Sequence, residues 1–186
     1  MTVIYMMVGI PASGKTTLIK EIIKESKSFM SKEAMPYVSR DEVRLEVTGE
    51  SKVHMEKEGQ VLAAFCDKIA QYVRIGCPYV FADATHASPK SRWAFYNAMH
   101  LAIKNFDIPA SEIDIIPLVI ETPFEVCYER NSKRDESIAA PDKDMKEFYA
   151  KCQYPSKDEI GIDKLFPIRI FYNPEAKQFM SIDFRE

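Results

Sequence analysis

"GIPASGKT", Gly9 to Thr16, is the stretch whose reading decides the fold. It matches G-x-x-x-x-G-K-[ST]. It lies between an apolar run, "VIYMMV", and a segment from Lys15 to about Ser26 with helical spacing. In a strand–loop–helix setting the glycines let successive backbone N–H groups curl around phosphate oxygens at a helix N-terminus, whose partial positive charge favours the anion. Lys15 is then expected on the β and γ phosphates of a bound ATP and the Thr16 hydroxyl on Mg²⁺. Gly9, Pro11, Ala12, Ser13, Gly14 and Thr17 complete the ATP-contacting loop.

Outward from that loop, strand-like and helix-like runs alternate. "PYV" is followed by a helix from Asp41, and a longer helix runs from about Lys52 to Ile75 with Val61, Phe65, Ile69 and Tyr72 as its core stripe. "PYVFAD" reads as the third strand, a helix starts at Ser88-Pro89, and "IDIIPLVI" reads as the fourth strand. Thr122 and Glu125 form the pattern of a capping box around Pro123. A short helix is expected from Asp144 to Cys152, then two apolar strands joined through Asn173-Pro174. This order predicts an α/β fold with a mostly parallel sheet flanked by helices, in one domain over residues 1–186.

Three further clusters carry chemistry. In "SRDEVR" Ser39 and Glu42 form a capping box, so Asp41 is either a first-turn acid that suits the helix dipole or the acid of a site. With a phosphate loop on the same chain the second reading gains ground. Phosphoryl transfer needs a carboxylate to orient the acceptor hydroxyl and take its proton, and the loop supplies none. Arg40 precedes Asp41 and Arg44 lies one turn on, two guanidinium groups expected to flank the acid and keep it ionised; Arg44 is there either to hold an anionic group of the acceptor or to pair on the surface with Glu42 or Glu46. Asp83 ends the third strand, where it reaches the outer Mg²⁺ shell or an active-site hydroxyl, or caps the turn. Thr85 and His86 follow, Thr85 a candidate acceptor contact together with Arg40, Asp41, Arg44 and Asp83, and the histidine reading as a solvated loop residue. In "YERNSKRDES" Arg130 and Arg134 fall at i and i+4. They either satisfy a helix C-terminus or belong, as ATP-binding arginines, to a lid over about 130–152, with a hinge at Ser137 to Pro141.

Taken together, "GIPASGKTT", "SRDEVR", "DATH" and "ERNSKR" resemble, in order and approximate spacing, the kinase domain of phage-type 5′-OH polynucleotide kinases and related small P-loop kinases. The resemblance spans roughly Met1 to Tyr149. It implies a kinase fold with a central five-stranded parallel sheet and a helical lid, with the C-terminal two strands, about 165–186, as an extension. It also implies Asp41 as general base, Arg44 on the phosphate 3′ of the acceptor nucleoside, and Arg134 on the donor phosphates. His86 stands where that family often carries Asn. No D-x-D-x-T phosphatase motif is present, so a kinase alone is expected. The reading is an ATP- and Mg²⁺-dependent transfer to a 5′-OH nucleic acid end. Its rivals are a small-molecule kinase and an ATP-binding module without catalysis.

Composition sets outer bounds. A net charge of −3 argues against non-specific coating of nucleic acid, which needs many phosphate contacts, but leaves room for a local basic pocket. Cys66, Cys77, Cys127 and Cys152 are dispersed without C-x-x-C spacing, so reduced thiols are expected rather than a zinc or redox site. The N-terminus lacks a charged leader and a cleavage site, and no run has the length of a membrane span. A cytoplasmic protein is expected, in the host cytoplasm if phage-encoded.

Overall fold

The computed structural model describes residues 1–26, 35–50, 53–136, 138–156, 159 and 167–182. Strands β1 (Thr2–Val8), β2 (Tyr37–Ser39), β3 (Tyr79–Asp83), β4 (Ile113–Glu121), β5 (Ile168–Asn173) and β6 (Gln178–Ile182) form one six-stranded sheet in the order β2-β3-β1-β4-β5-β6. The first five pair in parallel and only β6 is antiparallel. The fifth parallel strand is therefore β5 itself, not an element outside the sheet, and β6 folds back on it as a hairpin. Of the expected extension, residues 165, 166 and 183–186 lie outside the described residues.

β1 at the centre is covered on both faces, which its near-continuous apolar sequence requires. Ile4, Met6 and Val8 pack on one side with Phe65, Ile69, Phe95 and Met99, and Met7 packs on the other with Leu18, Ile19 and Phe81. α1 (Lys15–Ser26) supplies Leu18 and Ile19, while α3 (Glu58–Arg74) and α4 (Pro89–Asn105) cover the opposite face. β4 carries Pro117 inside the sheet. Its pairing to β5 begins only at Leu118, next to the residue that has no N–H to give.

Some helix boundaries differ from the expectation. The helix predicted from Lys52 starts at Glu58, after a turn at 55–57; Lys52 itself lies outside the described residues. The Thr122–Glu125 box does not form: Pro123 occupies the N-cap of α5 (Phe124–Ser132) without a side-chain cap, and Thr122 Oγ1 instead donates to the Ser13 carbonyl at 2.8 Å. α6 (Asp142–Lys151) begins directly after Pro141, two residues before the expected Asp144.

Candidate active site

The ends of β1, β2 and β3 converge at one rim of the sheet, and each delivers part of the site. After β1 the loop Gly9–Gly14 turns into α1 with Ala12 at φ 60° and Gly14 at φ 98°. Gly14 has little alternative, because a Cβ there would meet the Phe179 ring at 2.7 Å. The loop is fastened from three sides: Gly9 N–H donates to Thr85 O at 2.9 Å, Thr122 holds Ser13, and Ile10 packs on buried Cys127 and Met145.

Lys15 is buried, with Nζ donating to Gly9 O at 3.0 Å and Ile10 O at 2.9 Å. Burial depresses its pKa and the nearby Asp83 carboxylate opposes that shift. Among the described residues the acceptors of the Lys15 ammonium are two neutral carbonyls. Thr16 Oγ1 donates to Asp83 Oδ2 at 2.6 Å. Burial raises the Asp83 pKa, while the Thr16 bond and Lys15 pull it back. A hydroxyl and one carboxylate side by side form an all-oxygen donor set. That fits Mg²⁺, which usually takes one or two protein oxygens and keeps phosphate and water oxygens for the rest.

From β2, Ser39 caps α2 (Arg40–Thr48) by accepting from Glu42 N–H at 3.4 Å. Burial raises the Tyr37 pKa, and the nearby Glu42 carboxylate adds to the rise. Arg44 is no surface residue paired with Glu42 or Glu46. It is 7% exposed, and Glu46 is taken by Lys68. Arg44 Nε donates to Glu58 Oε1 at 2.7 Å and Nη2 to Glu58 Oε2 at 3.3 Å, while Nη1 bonds Asp41 Oδ1. Arg40 does not flank Asp41 as expected. Its Nη2 donates to Glu58 Oε2 at 2.8 Å. Glu58 thus lies between two guanidinium groups, whose bonds outweigh the effect of burial and hold its carboxyl below the usual range. The sequence reading missed Glu58 because it placed this residue inside a longer helix. The Asp41 side chain is 85% exposed, open to a substrate, and its charge is felt at both Lys15 and Asp83.

Arg130 and Arg134 line a cavity of about 330 Å³ together with Ala12, Gly14, Thr17, Tyr172 and Phe179. Only Arg130 is helical. α5 ends at Ser132 and Arg134 follows in the turn, so the two share a cavity rather than a helix face. The Arg130 guanidinium sits 4.1 Å over the Tyr172 ring, a cation–π contact. The loop that Arg134 opens is closed by Asn131, whose Nδ2 donates to Ala140 O at 2.7 Å and whose Oδ1 accepts from Ala140 N–H at 3.0 Å. Asn131, buried and inside the quoted "ERNSKR", was the readable signal for this device. The proposed hinge residue Ser137 lies outside the described residues.

His86 is the clearest reversal. It is buried rather than solvated, at φ 40°, with Nδ1 on Met7 O at 2.9 Å and its ring 4.8 Å from Phe95. Burial pushes its pKa down to about 3, so the ring is neutral and donates through Nδ1–H.

A glycine-rich loop at the start of α1, a buried lysine and a Thr–Asp pair on a parallel sheet define a P-loop nucleotide-binding protein with the kinase-type α/β fold. The chain belongs to the family described as AAA domain, whose model matches residues 4–155. No curated protein matches the sequence. Among solved structures, a sugar kinase from Janibacter sp. HTCC2649 is similar at TM-score 0.61 and 16% identity, over 95% of this chain and 90% of that one. A fungal RNA kinase matches at TM-score 0.62 and 14% identity, over 92% and 74%. A chain of the Pnkp1/Rnl/Hen1 RNA repair complex matches at TM-score 0.58 and 21% identity, over 81% of this chain and 43% of that one. These likenesses are to the fold. Among the described residues no helix is long and apolar enough to cross a membrane.

Proposed function

We propose that the protein is an ATP- and Mg²⁺-dependent kinase that transfers the γ-phosphate to the 5′-hydroxyl end of a polynucleotide. The observation that carries this reading is the cluster Asp41–Arg44–Glu58–Arg40 at the rim that also holds Lys15 and Asp83. Binding a nucleotide would need only the loop. A solvent-facing acid beside a buried guanidinium adds the two groups that an alcohol acceptor with a neighbouring phosphate requires.

In this reading the loop amides and Lys15 hold the β and γ phosphates, and Thr16, with Asp83 beside it, would hold Mg²⁺. When bound, the metal neutralises charge on the phosphate oxygens. Asp41 accepts the hydrogen bond of the 5′-hydroxyl, orients its oxygen in line with the γ-phosphorus, and takes the proton as the P–O bond forms. Glu58 holds two of the five Arg44 N–H donors and Asp41 a third, which leaves two for a phosphate one nucleotide into the acceptor. Arg134 reaches the donor phosphates from the lid and stabilises charge that grows in the transition state. The cavity lined by Ala12, Gly14, Arg130, Tyr172 and Phe179 takes part of the donor nucleotide.

Radiolabelled ATP with a 5′-OH oligonucleotide, set against a panel of nucleosides, sugars and other small alcohols, tests the assignment. Label on the oligonucleotide end is the expected result. Label only on a small alcohol identifies a small-molecule kinase, and ATP binding without transfer to any acceptor identifies a nucleotide-binding module.

A further inference from the structure

One buried guanidinium ties the chain that leaves α6 to the loop after β3. Arg92 is fully buried in the first turn of α4. Its Nε and Nη2 each donate to one carboxylate oxygen of Glu159 at 2.7 Å. Its Nη1 donates to His86 O at 2.9 Å and to Gln153 O at 2.8 Å. Gln153 N–H returns to Ala87 O at 2.9 Å. Four of the five donors of a side chain that cannot shed its charge are therefore engaged, and breaking such a buried pair leaves an uncompensated ion. The same loop gives Thr85 O to Gly9 N–H and His86 Nδ1–H to Met7 O. The exit of the lid, the phosphate loop and the end of β3 thus meet at one knot, whereas the entry of the lid is held separately by Asn131 and Cys127.

We propose that Arg92 is a positioning residue for phosphoryl transfer. It pins the exit of the lid at Gln153 and Glu159 against the loop after β3, so that Arg134 meets the transferring phosphoryl group from a fixed pivot. The proposal rests on the kinase reading above. Arg92 touches no substrate; it acts through the lid, where a misplacement of about 1 Å costs on the order of 10² in rate.

A double-substitution cycle on the full chain tests this. Glu159→Gln keeps the size of the side chain and removes the countercharge from a residue near the surface. With Arg134 present it is expected to lower kcat by about fivefold or more while leaving KM for ATP within about twofold. In an Arg134→Ala background its effect on kcat is expected to shrink below about twofold, because the residue it positions is gone. Amide hydrogen exchange in 142–156 should quicken in Glu159→Gln while that in β1 and β3 does not. Arg92→Lys must repeat the pattern, since an ammonium cannot span both carboxylate oxygens and both carbonyls. Equal fold losses in both Arg134 backgrounds, unchanged exchange, or full kcat in Arg92→Lys would each overturn the proposal. If the unsubstituted protein phosphorylates no acceptor, the kinase reading and the positioning role fall together, and the exchange measurement still decides whether the anchor exists.

Discussion

The proposed donor side and the proposed acceptor side of this site are built in different ways. The donor side is one contiguous segment whose backbone amides would do the binding; Lys15 in it is buried, and its conformation depends on two positive-φ residues and a close approach by Phe179. The acceptor side is made of side chains from α2 and α3, with the exposed Asp41 reached through Arg44 from a glutamate fourteen positions away in sequence. The first design tolerates little variation and fixes a phosphate whatever is attached to it. The second leaves the acceptor to be chosen by a few charges, so one scaffold can serve different alcohols.

Substitutions should separate the two sides, most strongly at their centres. Lys15→Ala removes the full charge on the β and γ phosphates and is expected to lower kcat/KM for ATP by about 10³-fold or more. Asp41→Asn should instead lower kcat by about 10² to 10⁴, the usual worth of a positioned acid–base group. Its nucleotide affinity, read by titration calorimetry, should be unchanged. An Asp41→Asn protein with normal turnover would remove the acid from the mechanism and dissolve the contrast.

In the proposed mechanism Arg134 serves the donor phosphates from the lid. Its removal is expected to lower kcat by on the order of 10² with little change in KM for the acceptor, and Arg134→Lys should rescue only in part. A dead Arg130→Ala beside an active Arg134→Ala would exchange their roles and hand the cation–π pair with Tyr172 the catalytic part.

A smaller effect concerns the knot behind both sides. His86 has its pKa pushed to about 3 in the folded protein, against 6.5 in its absence of burial. The unfolded chain therefore binds a proton that the folded one refuses between those values, and stability falls as pH drops from about 6.5, by up to about 1.4 kcal/mol per pH unit from this group. Urea unfolding of His86→Asn at pH 7 and pH 5 should show a shallower loss than the parent protein. An identical slope would mean that the ring is not held neutral by burial.

How much of this was legible in the sequence differs between the two sides for a physical reason. The phosphate loop could be read because its chemistry is local: glycines, lysine and hydroxyl act at fixed offsets on one turn. Asp41, Arg44 and Asp83 could be found as residues, and Arg44 beside Asp41 and a hydroxyl for Asp83 with them, but the glutamate that holds Arg44 could not, because Glu58 follows a turn that sequence propensity extends as helix. The burial of His86 and Arg92 was hidden for the same reason. Nothing within ten residues of either names Met7, Gln153 or Glu159 as its partner. β5 was read as an appendage because residues 122–167 lie between it and its sheet neighbour β4.

The most direct test of the central claim is the acceptor preference read by Arg44. The account predicts that the unsubstituted protein phosphorylates a nucleoside 3′-monophosphate far better than the nucleoside without that phosphate. Arg44→Ala should narrow this gap by about 1.5 to 3 kcal/mol, the worth of a hydrogen bond to a charged group, and leave KM for ATP unchanged. A protein that ignores the 3′-phosphate, or an Arg44→Ala variant that keeps the full preference, would contradict the clamp and with it the assignment of a polynucleotide end as the acceptor.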